Sequence, residues 1–195
     1  MLSTIPRTEG IKYAGSKLKL LPHILELAAR VQPETVFDGF SGTTRVAQAF
    51  AQCGYRVIAN DIAVWSKVFG ECYLLSPYPR EHYKDLIDHL NAIPGRHGWF
   101  TEHYGGDAAR SNGLKKPWQR HNTLKLDAIR EEIDQLSVNS HEKAVALTSL
   151  ILAMDEVEDR AAEELEVDVA GRAREARPML ERVLARLVGG HDDAR

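Results

Sequence analysis

Hydrophobic residues along the chain switch between two periods, and the switches outline its elements. From Leu18 to Val31 the apolar positions Leu20, Leu21, Ile24, Leu25 and Leu27 recur at helical spacing. Pro33 closes that helix, because the residue before a proline is pushed out of the helical region. Thr35, Val36 and Phe37 then suit a buried parallel strand, in which both faces are covered and polar alternation is lost. Asp38 to Gly42 makes a sharp turn, where glycine removes the penalty for positive φ. Thr43 or Thr44 can cap a second helix with the inner stripe Val46, Ala49, Phe50 and Cys53, and Gly54 fits its left-handed end. Tyr55 to Ala59 reads as a second strand, paired so that Val36 and Val57 lie on neighbours.

The pattern after Asp61 is mostly helical. Trp65 to Leu75 forms one helix, Ser76-Pro77-Tyr78-Pro79 breaks it, and residues 80–92 form another with Tyr83, Leu86, Ile87 and Leu90 inward. Residues 93–122 carry no period and read as a long irregular segment. Asn122 or Thr123 caps a helix striped by Leu126, Ile129, Ile133 and Leu136. Ser140 caps the next, which is apolar nearly all round from Ala144 to Met154 and so must be buried, with the sheet as the expected surface. From Asp155 onward the apolar pattern fades, apart from a short stripe at Val183, Leu184, Leu187 and Val188.

A strand, turn, helix, strand and acid in this order have a chemical consequence. Ligands of a doubly wound sheet sit beyond the carboxyl ends of its strands, where turn amides point outward. Asp61 follows the glycine turn by about 20 residues, the separation of an acid that accepts both ribose hydroxyls. The turn lacks G-x-G-x-x-G, so no second close glycine makes room for a pyrophosphate. An adenosine compound without phosphate, such as S-adenosylmethionine, fits better. Gly15-Ser16 opening a helix, with Lys17 beside it, could also present amides and charge to an anion.

Composition narrows the class. The 195 residues are 44% hydrophobic and 27% charged, ordinary for one soluble domain with a real core. No apolar run approaches the ~20 residues of a membrane helix, and the N-terminus does not read as a signal peptide, so the expected location is cytoplasmic. Cys53 and Cys72 lie in apolar helical patterns and read as small core residues. No Cys/His cluster has zinc spacing, and no metal is expected. The net charge of −3 is unevenly spread. Residues 93–122 hold five basic against two acidic groups, whereas residues 155–195 hold seven against twelve. In the basic segment, Arg96, Arg110, Lys115, Lys116 and Arg120 alternate with Trp99, Phe100, Tyr104 and Trp118, as phosphate contact and base stacking require. The same aromatics could equally tuck into a core.

Taken in order, Lys12-Tyr13-Ala14-Gly15-Ser16-Lys17, Phe37-Asp38-Gly39-Phe40-Ser41-Gly42 and Ala59-Asn60-Asp61-Ile62 resemble the Dam-like class of adenine-specific (N6) DNA methyltransferases. The likeness runs on through 99–104, 125–130 and 146–154, covering roughly residues 10–157. It implies an α/β fold: a Rossmann-like S-adenosylmethionine-dependent methyltransferase sheet, incomplete here, with a mostly helical insertion. Residues 10–79 would be the cofactor-binding half, 80–154 the insertion, and 155–195 a charged tail. By position, Tyr13 and Lys17 would contact the methionine and adenosine parts of S-adenosylmethionine. Asp38, Gly39, Ser41 and Gly42 would form the cofactor loop, and Asp61 would hold the ribose. Thr43 stands where the family commonly has glycine, and a β-branched residue narrows the backbone there. Double-stranded DNA is the implied substrate, with Arg96, Arg110, Lys115, Lys116 and Arg120 as contacts, and a cognate restriction endonuclease the implied companion.

One family element is missing. Methyl transfer to an exocyclic amine needs a flipped base in line with the sulfonium, its nitrogen held by a carboxylate and a carbonyl. The family supplies this with Asp-Pro-Pro-Tyr or Phe, which does not occur here; Ser76-Pro77-Tyr78-Pro79 lacks the acid. The expectation is a family member cut or shifted out of frame near residue 157. The alternative is a non-catalytic module that keeps part of a cofactor site.

Overall fold

The computed structural model describes residues 5–12, 14–106 and 118–164, which fall into two compact units meeting in sequence at Tyr78 and Pro79. The first unit begins with a segment without regular secondary structure, then a 3-10 turn Lys17–Leu20 and helix α1 (Leu21–Val31). Strand β1 (Thr35–Asp38), helix α2 (Arg45–Gln52), strand β2 (Arg56–Ala59) and helix α3 (Val64–Leu74) follow. β1 and β2 pair in parallel as neighbours, as expected, and the register sets Val36 opposite Val57.

The core of this unit lies on one face of that sheet. Leu21, Leu25, Val46, Ala49 and Phe50 form a buried cluster, with Val36, Val57, Ile24, Cys53 and Tyr55 packed against it. Phe50 meets Tyr55 edge-on at 5.4 Å, and burial of a ring of this kind is worth about 3–5 kcal/mol against alanine. The opposite face departs from expectation. Phe37 and Ile58, directly paired, remain 66% and 49% exposed, so the strands are covered on one side rather than two. Side chains alternate across a strand, and only the Val36 and Val57 side rests on α1 and α2. Leu20, at the end of the 3-10 turn, and Leu27 of α1 are likewise exposed although the apolar stripe includes them. The α2 stripe is inward as expected, and Gly54 takes φ +85.

The second unit comprises α4 (Lys84–Ala92), α5 (Trp99–Tyr104), short strands β3 (Gly105–Gly106) and β4 (Trp118–Gln119), α6 (Arg120–Gln135) and α7 (Ser140–Glu164). Within the described part of 93–122 there is regular structure where none was expected. α5 forms because the Asp127 carboxylate of α6 accepts hydrogen bonds from Gly98 N at 3.1 Å, Phe100 N at 2.9 Å and Thr101 N at 2.8 Å, and from Thr101 Oγ1 at 2.6 Å. These are unsatisfied first-turn donors, capped by a residue distant in sequence. In the same way Lys125 Nζ donates to the carbonyls of Asn91 and Ile93, closing the end of α4.

Two caps differ from the sequence reading. α6 starts at Arg120, ahead of both Asn122 and Thr123, and Thr123 Oγ1 instead donates to the Arg120 carbonyl. The cap of α7 is Asn139, not Ser140: Asn139 Oδ1 accepts from His141 N and Glu142 N, while Glu142 accepts from Asn139 N. That reciprocal pair is a capping box. α7 runs on past residue 154 and packs against α6 and β4. The apolar stripe at 183–188 lies outside the described residues.

Candidate functional site

The carboxyl ends of β1 and β2 are knitted together by the loop between β1 and α2. Asn60 N donates to Asp38 O at 2.9 Å and Ser41 N to Asn60 O at 3.0 Å, so the pairing of the strands continues into the turn. Gly42 N then donates to Asp61 Oδ2 at 2.8 Å, and Ala63 N to Asp61 Oδ1 at 2.9 Å. The amides of Ala63 and Gly42 hold the Asp61 carboxyl below the ordinary carboxylate range. Each carboxylate oxygen has two lone-pair directions, so Asp61 keeps acceptor capacity beyond these bonds.

Loop and acid therefore converge, though partly on each other. The amides of Ser41 and Gly42, expected to face a ligand, are engaged by Asn60 and Asp61. The hydroxyl of Ser41 is buried and within 3.1 Å of Ser66 Oγ, which ties the loop to α3. Backbone strain also falls elsewhere than expected. Gly42 has φ +51, but the residue in the left-handed region beside it is Thr44, at φ +60, not Thr43. Thr44 is fully buried and caps nothing with its side chain; its hydroxyl accepts from Gln48 Nε2 at 3.0 Å. A β-branched residue in this conformation costs roughly 1–2 kcal/mol, stored beside the loop.

A cavity of about 310 Å³ opens over these groups, walled by residues 14–17, 40–43, Arg45, Val46 and Asp61. Its size lies at the lower end of the ~300–1,000 Å³ typical of small-molecule pockets. Lys17 Nζ donates to the Phe40 carbonyl at 2.6 Å, which brings a cation to the rim. Asp38 lies at the end of β1, 8% exposed, with Oδ2 unpartnered. Burial raises its carboxyl above the usual range, against the pull of Lys17 and of the amides of Phe40 and Ala47. Lys17, Arg45 and Asp61 thus bring both charge signs to the wall of one cavity.

Of the sequence-read cofactor set, Lys17, Ser41, Gly42 and Asp61 line this cavity; Asp38 and Gly39 belong to the loop but not to the wall. Tyr13 lies outside the described residues. Sequence reasoning missed Arg45, Gln48 and Thr44. The available signal was polar residues within α2, where Val46 to Phe50 are all buried. Of the DNA candidates, Arg110, Lys115 and Lys116 lie outside the described residues. Arg96 is exposed but bound to Glu131 at 2.6 Å, and Arg120 stands exposed in the first turn of α6. The aromatics largely pack on one another: Phe100 and Tyr104 rings lie 5.3 and 5.7 Å from Trp118. Trp99 stacks on His103 at 4.5 Å and is 61% exposed. Among the described residues no group of His, Cys, Asp and Glu is arranged to hold a metal. His82 and His89 instead face Glu142 and Glu132, each at 2.7 Å.

A parallel strand–loop–helix–strand unit whose second strand ends in a carboxylate beside the loop is the frame of a nucleoside-type α/β half-site. The chain belongs to the D12 class of N6 adenine-specific DNA methyltransferases, whose family model matches residues 13–162. The resemblance carried by 12–17, 37–42 and 59–62 is thus borne out. Methyltransferases of this class use S-adenosylmethionine as methyl donor. The chain is also similar to the Type II methyltransferase M.NlaIII of Neisseria lactamica, 30% identical over 130 residues, which cover 64% of this chain and 38% of that protein. The match therefore spans well under half of the relative's length. No solved structure matches. No helix of the described residues is long and apolar enough to cross a membrane.

Proposed function

We propose that the first unit binds S-adenosylmethionine and serves N6 methylation of adenine in double-stranded DNA. The supporting observation is the convergence of Lys17, Gly42 and Asp61 on one cavity at the carboxyl ends of two parallel strands. In this reading Asp61, held ionised by two backbone amides, accepts the ribose hydroxyls. Lys17 and Arg45, both on the cavity wall, face the methionine carboxylate, and Asp38 with Gly39 belongs to the cofactor loop. Tyr13 is the further proposed contact to the methionine and adenosine parts of the cofactor. The bound cofactor supplies an electrophilic methyl group; the protein holds it and excludes water. In the second unit Arg120, with Arg96, Arg110, Lys115 and Lys116, is the proposed phosphate-contacting set, and Trp99 the exposed stacking surface.

A second reading rests on one sequence fact: no Asp-Pro-Pro-Tyr or Phe tetrad occurs among the 195 residues. On that reading the chain binds the donor without turning it over alone. Isothermal titration with S-adenosylmethionine tests the donor site. Asp61→Ala is expected to weaken affinity about ten- to a hundredfold, the loss of hydrogen bonds to a charged acceptor. Failure of the parent chain to bind removes the donor reading. Incubation with methyl-labelled cofactor and DNA separates turnover from binding: label in adenine would exclude the non-catalytic reading.

A further inference from the structure

We infer that Gln48, with Arg45 and Gln52, is a positioning residue of the cavity: this face of α2 grips the backbone of residues 7–10 and so sets the wall at 14–17. The inference deepens the donor-site reading above and rests on it. Positions 45, 48 and 52 are three and four residues apart, which places them on one side of the helix. Gln52 Nε2 donates to Arg7 O at 2.8 Å, and the Arg45 guanidinium donates to Thr8 O and to Gly10 O, the latter at 2.6 Å. Gln48 accepts from Glu9 N and donates to Glu9 O, both at 2.9 Å.

Each of these bonds goes to main chain rather than to a side chain. The buried Gln48 amide takes one donor and one acceptor from Glu9, as a neighbouring strand would. Residues 5–12 take no regular secondary structure and have no strand partner among the described residues; the helix face supplies their main-chain partners instead. The same Gln48 amide donates to Thr44 Oγ1 at 3.0 Å, the strained residue after the cavity loop. Gly10, at φ +151, lies so close that a Cβ there would stand 3.1 Å from Thr43 Cβ. Segment and loop are thus fixed to one another through Gln48, and a few residues later the segment forms the wall that ends in the Lys17–Phe40 bond. Gln48 itself is not part of that wall.

The test compares the parent chain with Gln48→Met, which keeps the volume and removes all of its hydrogen bonds. Phe50→Leu on the same helix weakens the core without touching residues 7–10. Binding of S-adenosylmethionine is measured by calorimetry, and amide exchange of residues 14–18 by mass spectrometry, both below the melting temperature. Gln48→Met is expected to bind about tenfold more weakly, the effect of losing roughly one net hydrogen bond from the bound geometry, and to exchange faster at 14–18. Phe50→Leu is expected to melt earlier with affinity and local exchange unchanged. Parent-like affinity in Gln48→Met overturns the inference and leaves the donor reading standing. If the parent itself does not bind, the donor reading falls, and exchange alone decides the positioning role. Exchange at 14–18 that is unchanged by Gln48→Met, or raised equally by Phe50→Leu, overturns it in either case.

Discussion

Removing the Asp127 carboxylate should release α5, and with it the aromatic residues 99–104. Asp127 accepts from Gly98, Phe100 and Thr101 amides and from the Thr101 hydroxyl, while α5 has no cap of its own from Gly98. A single helix cap is worth about 0.5–2 kcal/mol, and a hydrogen bond to a charged group about 1.5–3 kcal/mol. The amides can turn to water once α5 loosens, and bonds sharing one acceptor are not additive, so Asp127→Ala should cost roughly 2–4 kcal/mol. Asp127→Asn should cost less, because one oxygen still accepts while the amide nitrogen opposes a donor. Burial raises the Asp127 carboxyl, but the hydrogen bonds from Thr101, Phe100 and Gly98 outweigh it and leave it below the usual range. A carboxyl depressed in the folded state contributes stability that is complete above its unfolded pKa of about 3.9 and is lost as pH falls through the folded value. Denaturant unfolding followed by tryptophan fluorescence in a Trp65→Phe background reports this unit, since the remaining tryptophans are Trp99 and Trp118. The reasoning fails if Asp127→Ala stays within about 0.5 kcal/mol of the parent at neutral pH, the spread of unremarkable surface changes. It fails equally if Asp127→Asn retains the parent's loss of stability below pH 4.

Other changes probe the packing and the site. Gly105→Ala would place a Cβ 2.6 Å from both the Thr101 carbonyl and Thr123 Oγ1, neither of which is a free side-chain tip. It should destabilise by about 1–3 kcal/mol, and an unchanged denaturant midpoint would contradict the close approach of α5 to α6. Asp38→Asn should raise or preserve the melting temperature at neutral pH, because ionised Asp38 is penalised by burial. An acid whose folded pKa is raised destabilises most above that pKa, so the difference should shrink as pH falls toward 4. A lower melting temperature for Asp38→Asn at pH 7 would show that Lys17 and the loop amides stabilise the charge more than burial penalises it.

Local features of the site were readable from the chain; its closure was not. A contiguous β-prone run, a glycine turn and an acid about 20 residues on require no tertiary knowledge to find, and treating both runs as parallel strands put Val36 and Val57 on neighbours, while the register that sets them opposite each other came from the structure. The direction of the loop amides did not follow. Gly42 N could serve a ligand or Asp61, and only the pairing of Asn60 with Asp38 and Ser41 decides that Asp61 is near enough to take it. The inward stripe of α2 was legible because apolar period is a property of sequence, whereas Gln48 on that helix became meaningful only with Glu9 beside it.

Sequence alone determined the family, through an ordered set of short motifs that composition could not imitate, and apolar periods located β1, β2 and the longer helices, but not α5, β3 or β4. Tertiary structure decided the caps and the exposed faces. α5 is capped by Asp127 and α4 by Lys125, from another helix in each case, while Phe37 and Ile58 stay bare because α1 and α2 cover only the other side of their sheet. The reason is one of range: periodicity and turn chemistry are set by neighbours a few residues away. A hydrogen-bond partner or a covering helix is chosen by contacts between residues tens of positions apart, which the chain does not spell out in any local pattern.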